Sequence, residues 1–123
     1  MPKTALVADD NEIIRREICR ILLSETECEV CAEAHDGLEA IEKAQQLHPN
    51  LIILDLSMPV MNGIDAARVL RARMPSVPII MVTSHADFLM KELRSAGIAE
   101  MVSNFDISLL TQKAQSFLRQ SAA

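Results

Sequence analysis

Positive charge is in short supply in this sequence. Its 12 lysines and arginines are outnumbered by 17 aspartates and glutamates, which gives a formal net charge of −5. Proteins that wrap nucleic acid or bind anionic membranes present clusters of basic residues. The composition therefore argues against nucleic-acid and membrane partners, and it predicts that any acidic cluster binds cations.

Long hydrophobic runs are absent as well. Residues 51–54 and 79–82 are among the longest apolar runs, and they are far shorter than the ~20 residues that a membrane-spanning helix needs. Near the N-terminus, Asp9 and Asp10 interrupt the apolar stretch after Ala8, so no signal peptide is predicted. We therefore expect a cytoplasmic protein.

The sequence has few cysteines, and their number is odd. The three are Cys19, Cys28 and Cys31. An odd count in a reducing compartment argues against a disulfide framework. Cys28 and Cys31 have the spacing of a redox or zinc pair, but they lie in an alternating, strand-like stretch, whereas a reactive pair is expected at a helix N-terminus. We predict instead that the cysteines are small buried hydrophobic residues.

What the sequence does contain is a fivefold alternation of short apolar runs with longer stretches of helical spacing. Half of its 123 residues are hydrophobic, which is enough for one domain, residues 1–123, with its own core. The predicted strands are residues 4–8, 28–32, 51–54, 78–82 and 99–102. Five helices are predicted between and after them.

Each predicted helix has apolar residues at helical spacing. The third follows Asn62, a good N-cap, and the fourth, residues 88–96, stops at Gly97, which can adopt a left-handed cap. The fifth covers residue 107 to about residue 119. The apolar face of the first helix is Ile14, Ile18, Ile21 and Leu22, and that of the second is Leu38, Ile41 and Ala44. The third has Ala66, Ala67, Val69 and Leu70. The fifth has Leu110, Ala114 and Phe117.

Strands that are joined by single helices run parallel, with right-handed crossovers and helices on both faces. The predicted fold is therefore a doubly wound α/β sandwich with a five-stranded parallel sheet and five helices. In such folds the ligand crevice lies beyond the carboxyl ends of the strands.

Acidic and hydroxyl side chains follow three of the predicted strands at these carboxyl ends. Asp9 and Asp10 follow the first strand, Asp55 follows the third, and Thr83 and Ser84 follow the fourth. Three carboxylates in one pocket repel one another unless a cation lies between them, and an oxygen-rich site of this kind suits Mg²⁺. The alternative is that these acids are helix caps and solvated loop charges.

The order and spacing of these motifs resemble the receiver domain of bacterial two-component response regulators. The matching stretches are "DD" at 9–10, "LDLSMPVMNG" at 54–63, "VTS" at 82–84 and "AG" at 96–97. The resemblance covers nearly the whole chain and implies the flavodoxin-like strand order 2-1-3-4-5. The stretch "EVCAEAHDGLEAI" is similar to receivers attached to DNA-binding regulators of the nitrate-regulator type, although no DNA-binding segment is present.

The resemblance implies a role for each residue of the acidic site. Asp55 would accept a phosphoryl group from a histidine kinase, from a phosphotransfer protein or from a small phosphodonor. Asp10, Asp55 and the backbone carbonyl of Ser57 would hold Mg²⁺, and Asp9 would reach it directly or through water. Thr83 would bond a phosphoryl oxygen and report the modification. The chain would be a phosphoacceptor and not an enzyme that turns over a metabolite.

Two departures from the family pattern affect these expectations. Asn104 and Phe105 stand where the family has a lysine, usually followed by proline, and a neutral hydrogen bond is about half as strong as a charge-assisted one. We expect weaker coupling of phosphorylation to conformation, and a trans Asn104–Phe105 peptide, since proline is absent. Met101 replaces the aromatic residue that normally rotates inward, and it is expected to fill core space.

Other functions and partners stay open at this point. A degenerate receiver, acting as an interaction module without phosphorylation, is favoured by Asn104. An aspartate-nucleophile phosphatase is disfavoured, because Ser57 stands where its second acid is needed. A kinase would dock near Ile14 to Ile18. A homodimer through the fourth helix, fifth strand and fifth helix is implied if Leu89, Met90 and Leu109 are exposed, and ordinary packing of these residues is the alternative.

Overall fold

A computed structural model describes residues 2–83, 96–103 and 106–121 of the protein. Five parallel strands form one sheet in the order β2-β1-β3-β4-β5, so the predicted doubly wound α/β fold is confirmed. The strands are β1 (Thr4–Ala8), β2 (Val30–Ala34), β3 (Leu51–Asp55), β4 (Ile79–Thr83) and β5 (Glu100–Ser103). The helices are α1 (Glu12–Glu25), α2 (Gly37–Leu47), α3 (Gly63–Arg73) and α4 (Ile107–Gln120).

Four of the five predicted helices are therefore seen in the described part of the chain. All but the last residue of the predicted fourth helix, residues 88–95, lie outside the described residues, and so do Ser84, Asn104 and Phe105; Leu89 and Met90 are among these helix residues. Gly97 has a φ of 79°, the left-handed conformation that was predicted for it. Within the described ranges, no helix has the length and apolarity needed to cross a membrane.

The core has two layers, one on each face of the sheet. Alternate residues of each central strand belong to opposite layers, as the pleat of a strand requires. One layer packs against α2 and α3, and the other packs against α1 and α4. In the central strands β1, β3 and β4, the residues of the α2/α3 layer are Leu6, Ala8, Ile52, Leu54, Ile79 and Met81. The residues of the same strands in the α1/α4 layer are Ala5, Val7, Leu51, Ile53, Ile80 and Val82.

Two local predictions were wrong. The second strand begins at Val30 and ends at Ala34, two residues later than predicted. Its bounds are set by pairing with β1, where Thr4 is opposite Val30 and Ala8 is opposite Ala34, and the burial pattern of this edge strand is too uneven to reveal them. Leu38 is exposed and does not line the buried face of α2, which consists of Gly37, Ala40, Ile41 and Ala44.

The cysteines also behave differently from the prediction. Cys19 in α1 and Cys31 in β2 form a disulfide, with their Cα atoms 5.7 Å apart, and Cys28 is a free, buried cysteine. The prediction that no disulfide forms was therefore wrong, although all three side chains do pack in the α1/α4 layer. A covalent link between a helix and a strand depends on how they pack, which cysteine spacing does not reveal.

Candidate functional site

Three aspartates come together at the carboxyl edge of the sheet. Ala8, the last residue of β1, pairs with Leu54 of β3, so Asp9 and Asp10 emerge beside Asp55. Each of the three side chains offers a carboxylate oxygen, and these oxygens all lie within 4.8 Å of one another. The predicted convergence of three carboxylates at one edge is therefore present in the structure.

Asp9 is held in place by its own backbone and side chain. The buried Asp9 donates its backbone N–H to the carbonyl of Ala34 over 3.0 Å, which continues the β1–β2 pairing past the end of the strand. Its Oδ1 accepts from the backbone N–H of Asn11 at 2.8 Å. The Asn11 side chain in turn caps α1 by accepting from the N–H groups of Ile13 and Ile14. Residues 9–11, which we call the acidic loop, therefore lead directly into this helix.

The site is electrostatically unfavourable for anions. Burial, followed by the charges of Asp9 and Asp10, raises the pKa of Asp55 to about 7, against the lowering effect of backbone hydrogen bonds from Ser57 and Leu56. Burial also raises the pKa of Asp9; Asp10 adds to this, while the backbone N–H of Asn11 and the charge of Arg15 lower it. A bound cation would relieve this repulsion.

Thr83 lies on the neighbouring strand at the same edge. Asp55 pairs with Val82 in register, and the N–H of Leu56 donates to the carbonyl of Val82 over 3.0 Å. Thr83 follows Val82 at the end of β4 and is buried. Ser57 lies in the exposed loop after β3. The residues predicted for the site that the structure describes are therefore all at one edge.

The departures from the family pattern are only partly within the described residues. Lys113, the nearest lysine after β5, lies in the middle of α4 and forms an ion pair with Glu100 at 3.4 Å. Glu100 begins β5, so this pair is at the end of the sheet opposite to the aspartates. Met101 is half-buried and packs against the α2/α3 layer, as predicted for a core-filling residue.

Gly63 allows α3 to begin directly against the acidic site. Its N–H donates to the carbonyl of Leu56 at 2.9 Å, and a Cβ placed on it would lie 2.3 Å from the carbonyl oxygen of Asp55. Asn62 caps the helix, accepting from the N–H of Asp65 at 2.9 Å. The predicted cap at Asn62 is confirmed, and Gly63 gives the helix the room for this close approach.

We expect Gly63→Ala to lower the free energy of unfolding by about 1–3 kcal/mol, because backbone must move to accept the added methyl group. Urea denaturation followed by circular dichroism measures this difference. Arg68→Ala, an exposed substitution in the same helix, is the control and should change the stability by less than about 0.5 kcal/mol. Equal stability of the two variants would contradict the close approach.

Sequence reasoning missed an exposed feature beside the site. Val60 is 79% exposed and has a φ of 67°, a left-handed conformation that is unusual for a β-branched residue. It sits in a γ-turn, in which the N–H of Met61 donates to the carbonyl of Pro59 at 2.7 Å. The carbonyl of Met61 accepts from the N–H of Gly37, a contact from α2 that the local sequence does not disclose.

Comparison with known proteins agrees with this geometry. Residues 5–115 match the family described as the response regulator receiver domain. The chain belongs to this family. It is therefore a receiver domain of the two-component phosphoacceptor type, as the motifs predicted.

Individual relatives include regulators of two kinds. The chain is 44% identical over 97 residues to a protein-glutamate methylesterase/protein-glutamine glutaminase of Pyrococcus horikoshii, covering 76% of this chain and 26% of that protein. It is 30% identical over 109 residues to the transcriptional regulatory protein DegU of Brevibacillus brevis, covering 87% of this chain and 46% of that protein. The chain thus spans about a quarter to a half of the length of these two relatives.

Solved structures of response regulators have the same fold as this chain. The response regulator domain of Thermotoga maritima CheB is 27% identical and superposes with a TM-score of 0.83, covering 98% of this chain and 96% of that one. A two-component response regulator of the LuxR family from Aurantimonas sp. SI85-9A1 is 26% identical with a TM-score of 0.88, covering 100% of this chain and 89% of that one. The receiver fold is therefore common to both kinds of regulator.

Proposed function

We propose that Asp55 is the residue of this receiver domain that accepts the phosphoryl group. The single observation that carries the proposal is the convergence of Asp55 with Asp9 and Asp10 within 4.8 Å at the carboxyl edge of the sheet. A carboxylate oxygen of Asp55 attacks phosphorus, and the bond from phosphorus to the histidine nitrogen, or to the acyl oxygen of a small donor, breaks. The leaving group departs with that electron pair.

Mg²⁺ fits the donor set of this site. Carboxylate and carbonyl oxygens are the ligands that Mg²⁺ prefers. Burial, together with the charges of Asp9 and Asp10, raises the pKa of Asp55 to about 7, and a dication offsets this cost of holding the carboxylate charged. Asp10, Asp55 and the carbonyl of Ser57 would hold the ion, with Asp9 binding directly or through water. When bound, the ion neutralises charge on the carboxylate and on the incoming phosphoryl oxygens.

Thr83 would read the modification. It follows Val82, the register partner of Asp55, so its hydroxyl belongs to the strand adjacent to the acceptor. A hydroxyl at this edge can donate to a phosphoryl oxygen. Bonding between Thr83 and the phosphoryl group would draw in the segment that follows β4 and so change the surface offered to a partner.

Receiver domains interact with histidine kinases or phosphotransfer proteins, and the exposure of residues near the aspartates supports a docking place for such a partner. Ile14 and Ile18, which bound the predicted docking range, pack inward against the α1/α4 layer. Among the described residues, Ile13, which is 81% exposed, and Val60, which is 79% exposed, are large apolar residues that follow β1 and β3 at the edge that carries the aspartates. We place the kinase contact on these two residues, adjacent to Asp55.

The presence of Asn104 in place of the family lysine favours a second candidate, an interaction module that works without phosphorylation. Leu109, offered above as one residue of an exposed dimer surface, is half-buried and packs against the α1/α4 layer. Ordinary packing therefore accounts for Leu109, and the output partner of either candidate would have to use other residues.

Intact-protein mass spectrometry after incubation with acetyl phosphate and MgCl₂ distinguishes the two candidates. We expect the parent to gain one phosphoryl group, and we expect no gain with EDTA or in the Asp55→Asn variant. Asp65→Asn, which changes an exposed aspartate outside the site, is the matched control and should behave like the parent. A folded parent that gains no phosphoryl group, even from a kinase, would support the interaction module.

A further inference from the structure

Arg15 joins α1, β2 and the acidic loop. Its Nε donates to Oε1 of Glu33 at 2.8 Å, and its Nη1 donates to the backbone carbonyl of Asp9 at 2.9 Å. The side chain is only 14% exposed. Both contacts use the planar fork of the guanidinium, whose donors point in fixed directions. One side chain thus ties the strand β2 to the backbone that carries two of the site's aspartates.

The carbonyl that Arg15 holds is well placed to orient the site. The carbonyl of Asp9 lies in the same planar peptide unit as the N–H of Asp10. Fixing this oxygen therefore fixes the plane from which the Asp10 side chain departs. The other side of Asp9 is already fixed, because its N–H donates to Ala34. Together the two bonds determine the path of the backbone through both aspartates.

Glu33 provides a firm anchor for Arg15. It lies in β2, where it pairs in register with Val7. Its backbone carbonyl accepts from the ammonium of Lys43 in α2, and Lys43 also pairs with Glu39 at 3.4 Å. The backbone of Glu33 is therefore held by the sheet and by a second helix, so the loss of the Arg15 contacts would act on the acidic loop.

The docking of α1 itself does not depend on Arg15. Cys19 follows Arg15 by four residues on the same face of α1, and Cys31 precedes Glu33 by two residues on the same face of β2. Their disulfide therefore links the same two surfaces one step further from the site. Ile18 and Leu22 are buried beneath the same helix. Loss of the Arg15 contacts would leave the helix in place.

We propose that Arg15 is a positioning residue that, through the carbonyl of Asp9 and the carboxylate of Glu33, holds the backbone of Asp9 and Asp10 in the geometry that binds Mg²⁺. This inference rests on the proposed function, because it assigns Mg²⁺ to the three aspartates. It adds two residues, Arg15 and Glu33, that would not touch the ion. The charge of the pair is balanced, so its effect comes from geometry.

Charge-conserving substitutions separate geometry from electrostatics. Arg15→Lys keeps the positive charge but cannot make both contacts with one planar group, and Glu33→Asp keeps the negative charge but shortens the side chain by a methylene. If Arg15 acted only as a charge that repels the cation, Arg15→Lys would leave Mg²⁺ affinity unchanged. Positioning predicts that affinity falls by about tenfold, as it does for other partners outside the ligand set.

Titration of ¹⁵N-labelled protein with MgCl₂, followed by the amide shifts of the acidic loop, gives the dissociation constant directly. We expect the dissociation constant for Mg²⁺ to increase about tenfold in Arg15→Lys and by a smaller factor in Glu33→Asp. In the double variant, the factor should be less than the product of the two single factors, because both substitutions break the same contact. Arg20→Lys is the matched control, since Arg20 likewise makes two hydrogen bonds, both of them to Glu17 in α1, at an exposed position. It should leave the dissociation constant unchanged.

A second readout separates positioning from general damage to the fold. Acetyl phosphate labelling of Arg15→Lys should be slow at low MgCl₂ and should recover to the parent rate when MgCl₂ is raised about tenfold, while the urea midpoint stays near that of Arg20→Lys. If Arg15→Lys does not fold, Glu33→Asp carries the same test. Parent-like Mg²⁺ affinity in the folded variant overturns this inference alone. A parent that binds no Mg²⁺ overturns the metal site of the proposed function and this inference with it.

Discussion

Asp55→Asn is expected to make the metal-free protein more stable than the parent above pH 7. Burial, together with the charges of Asp9 and Asp10, raises the pKa of Asp55 from 3.8 to about 7 in the folded protein. Between about pH 4 and pH 7, the Asp55 carboxyl therefore keeps its proton in the folded state but has released it in the unfolded state. The resulting stability is fully present below about pH 4 and is lost as the pH rises through 7. Asparagine has the same shape and no charge to bury.

The size of this stability difference depends on how far the pKa of Asp55 is raised and on how much solvent screens its charge. A shift of about three pKa units corresponds to about 4 kcal/mol, but Asp55 is only half-buried, and solvent screening reduces the effect. We expect the parent to lose about 2 kcal/mol between pH 4 and pH 8 relative to Asp55→Asn. Mg²⁺ should restore the parent and leave the variant unchanged, because a ligand stabilises only the form that binds it.

Urea denaturation in EDTA at pH 4 and pH 8 measures the difference. Circular dichroism is the appropriate signal because the protein contains no tryptophan or tyrosine. Glu42→Gln removes an exposed carboxylate far from the site and should keep the pH dependence of the parent. The same pH dependence in Asp55→Asn as in the parent would show that burial and the neighbouring charges do not raise the pKa of Asp55 as described.

Removal of the Cys19–Cys31 disulfide is expected to lower the free energy of unfolding by about 3 kcal/mol. The two cysteines are 12 residues apart in sequence, and cross-linking a loop of this length restricts the unfolded chain by roughly that amount. The parent treated with a phosphine reductant should therefore unfold at a lower urea concentration. The double variant Cys19→Ala/Cys31→Ala should be less stable than the oxidised parent and insensitive to reductant.

Counting thiols provides an independent check of the disulfide. Alkylation of the unfolded, unreduced parent should modify one cysteine, Cys28, and alkylation after reduction should modify three. Peptide mapping should recover Cys19 and Cys31 in one cross-linked fragment. The disulfide would be contradicted if three cysteines were modified without reduction and if the reductant did not change the stability. Cys19 and Cys31 would then be small buried hydrophobic side chains, as the sequence predicts.

Much of this site followed from local sequence. Asp9, Asp10, Asp55 and Thr83 each come at or directly after the end of an apolar run, and parallel strands bring such positions to one edge. Asn62 and Gly63 likewise carry their own structural meaning, because a cap and a close backbone approach depend on residue type. Burial of the central strands on both faces was readable for the same reason: each is a continuous apolar run.

Other features depended on contacts between distant segments. The turn at Val60 is joined to α2 by a bond from the N–H of Gly37 to the carbonyl of Met61, and Arg15 contacts Glu33, which lies 18 residues away. The disulfide required α1 to pack with Cys19 against Cys31. The bounds of β2 came from its register with β1, not from its uneven edge-strand pattern.

The sequence by itself determined the order of strands and helices, the parallel sheet, and the place of the acidic residues at its carboxyl edge, because hydrophobic periodicity and residue type act locally along the chain. Tertiary structure alone decided which side chains support that edge, where β2 begins and ends, and that two cysteines are joined. Each of these depends on distances between elements that are far apart in sequence, and periodicity carries no information about such distances.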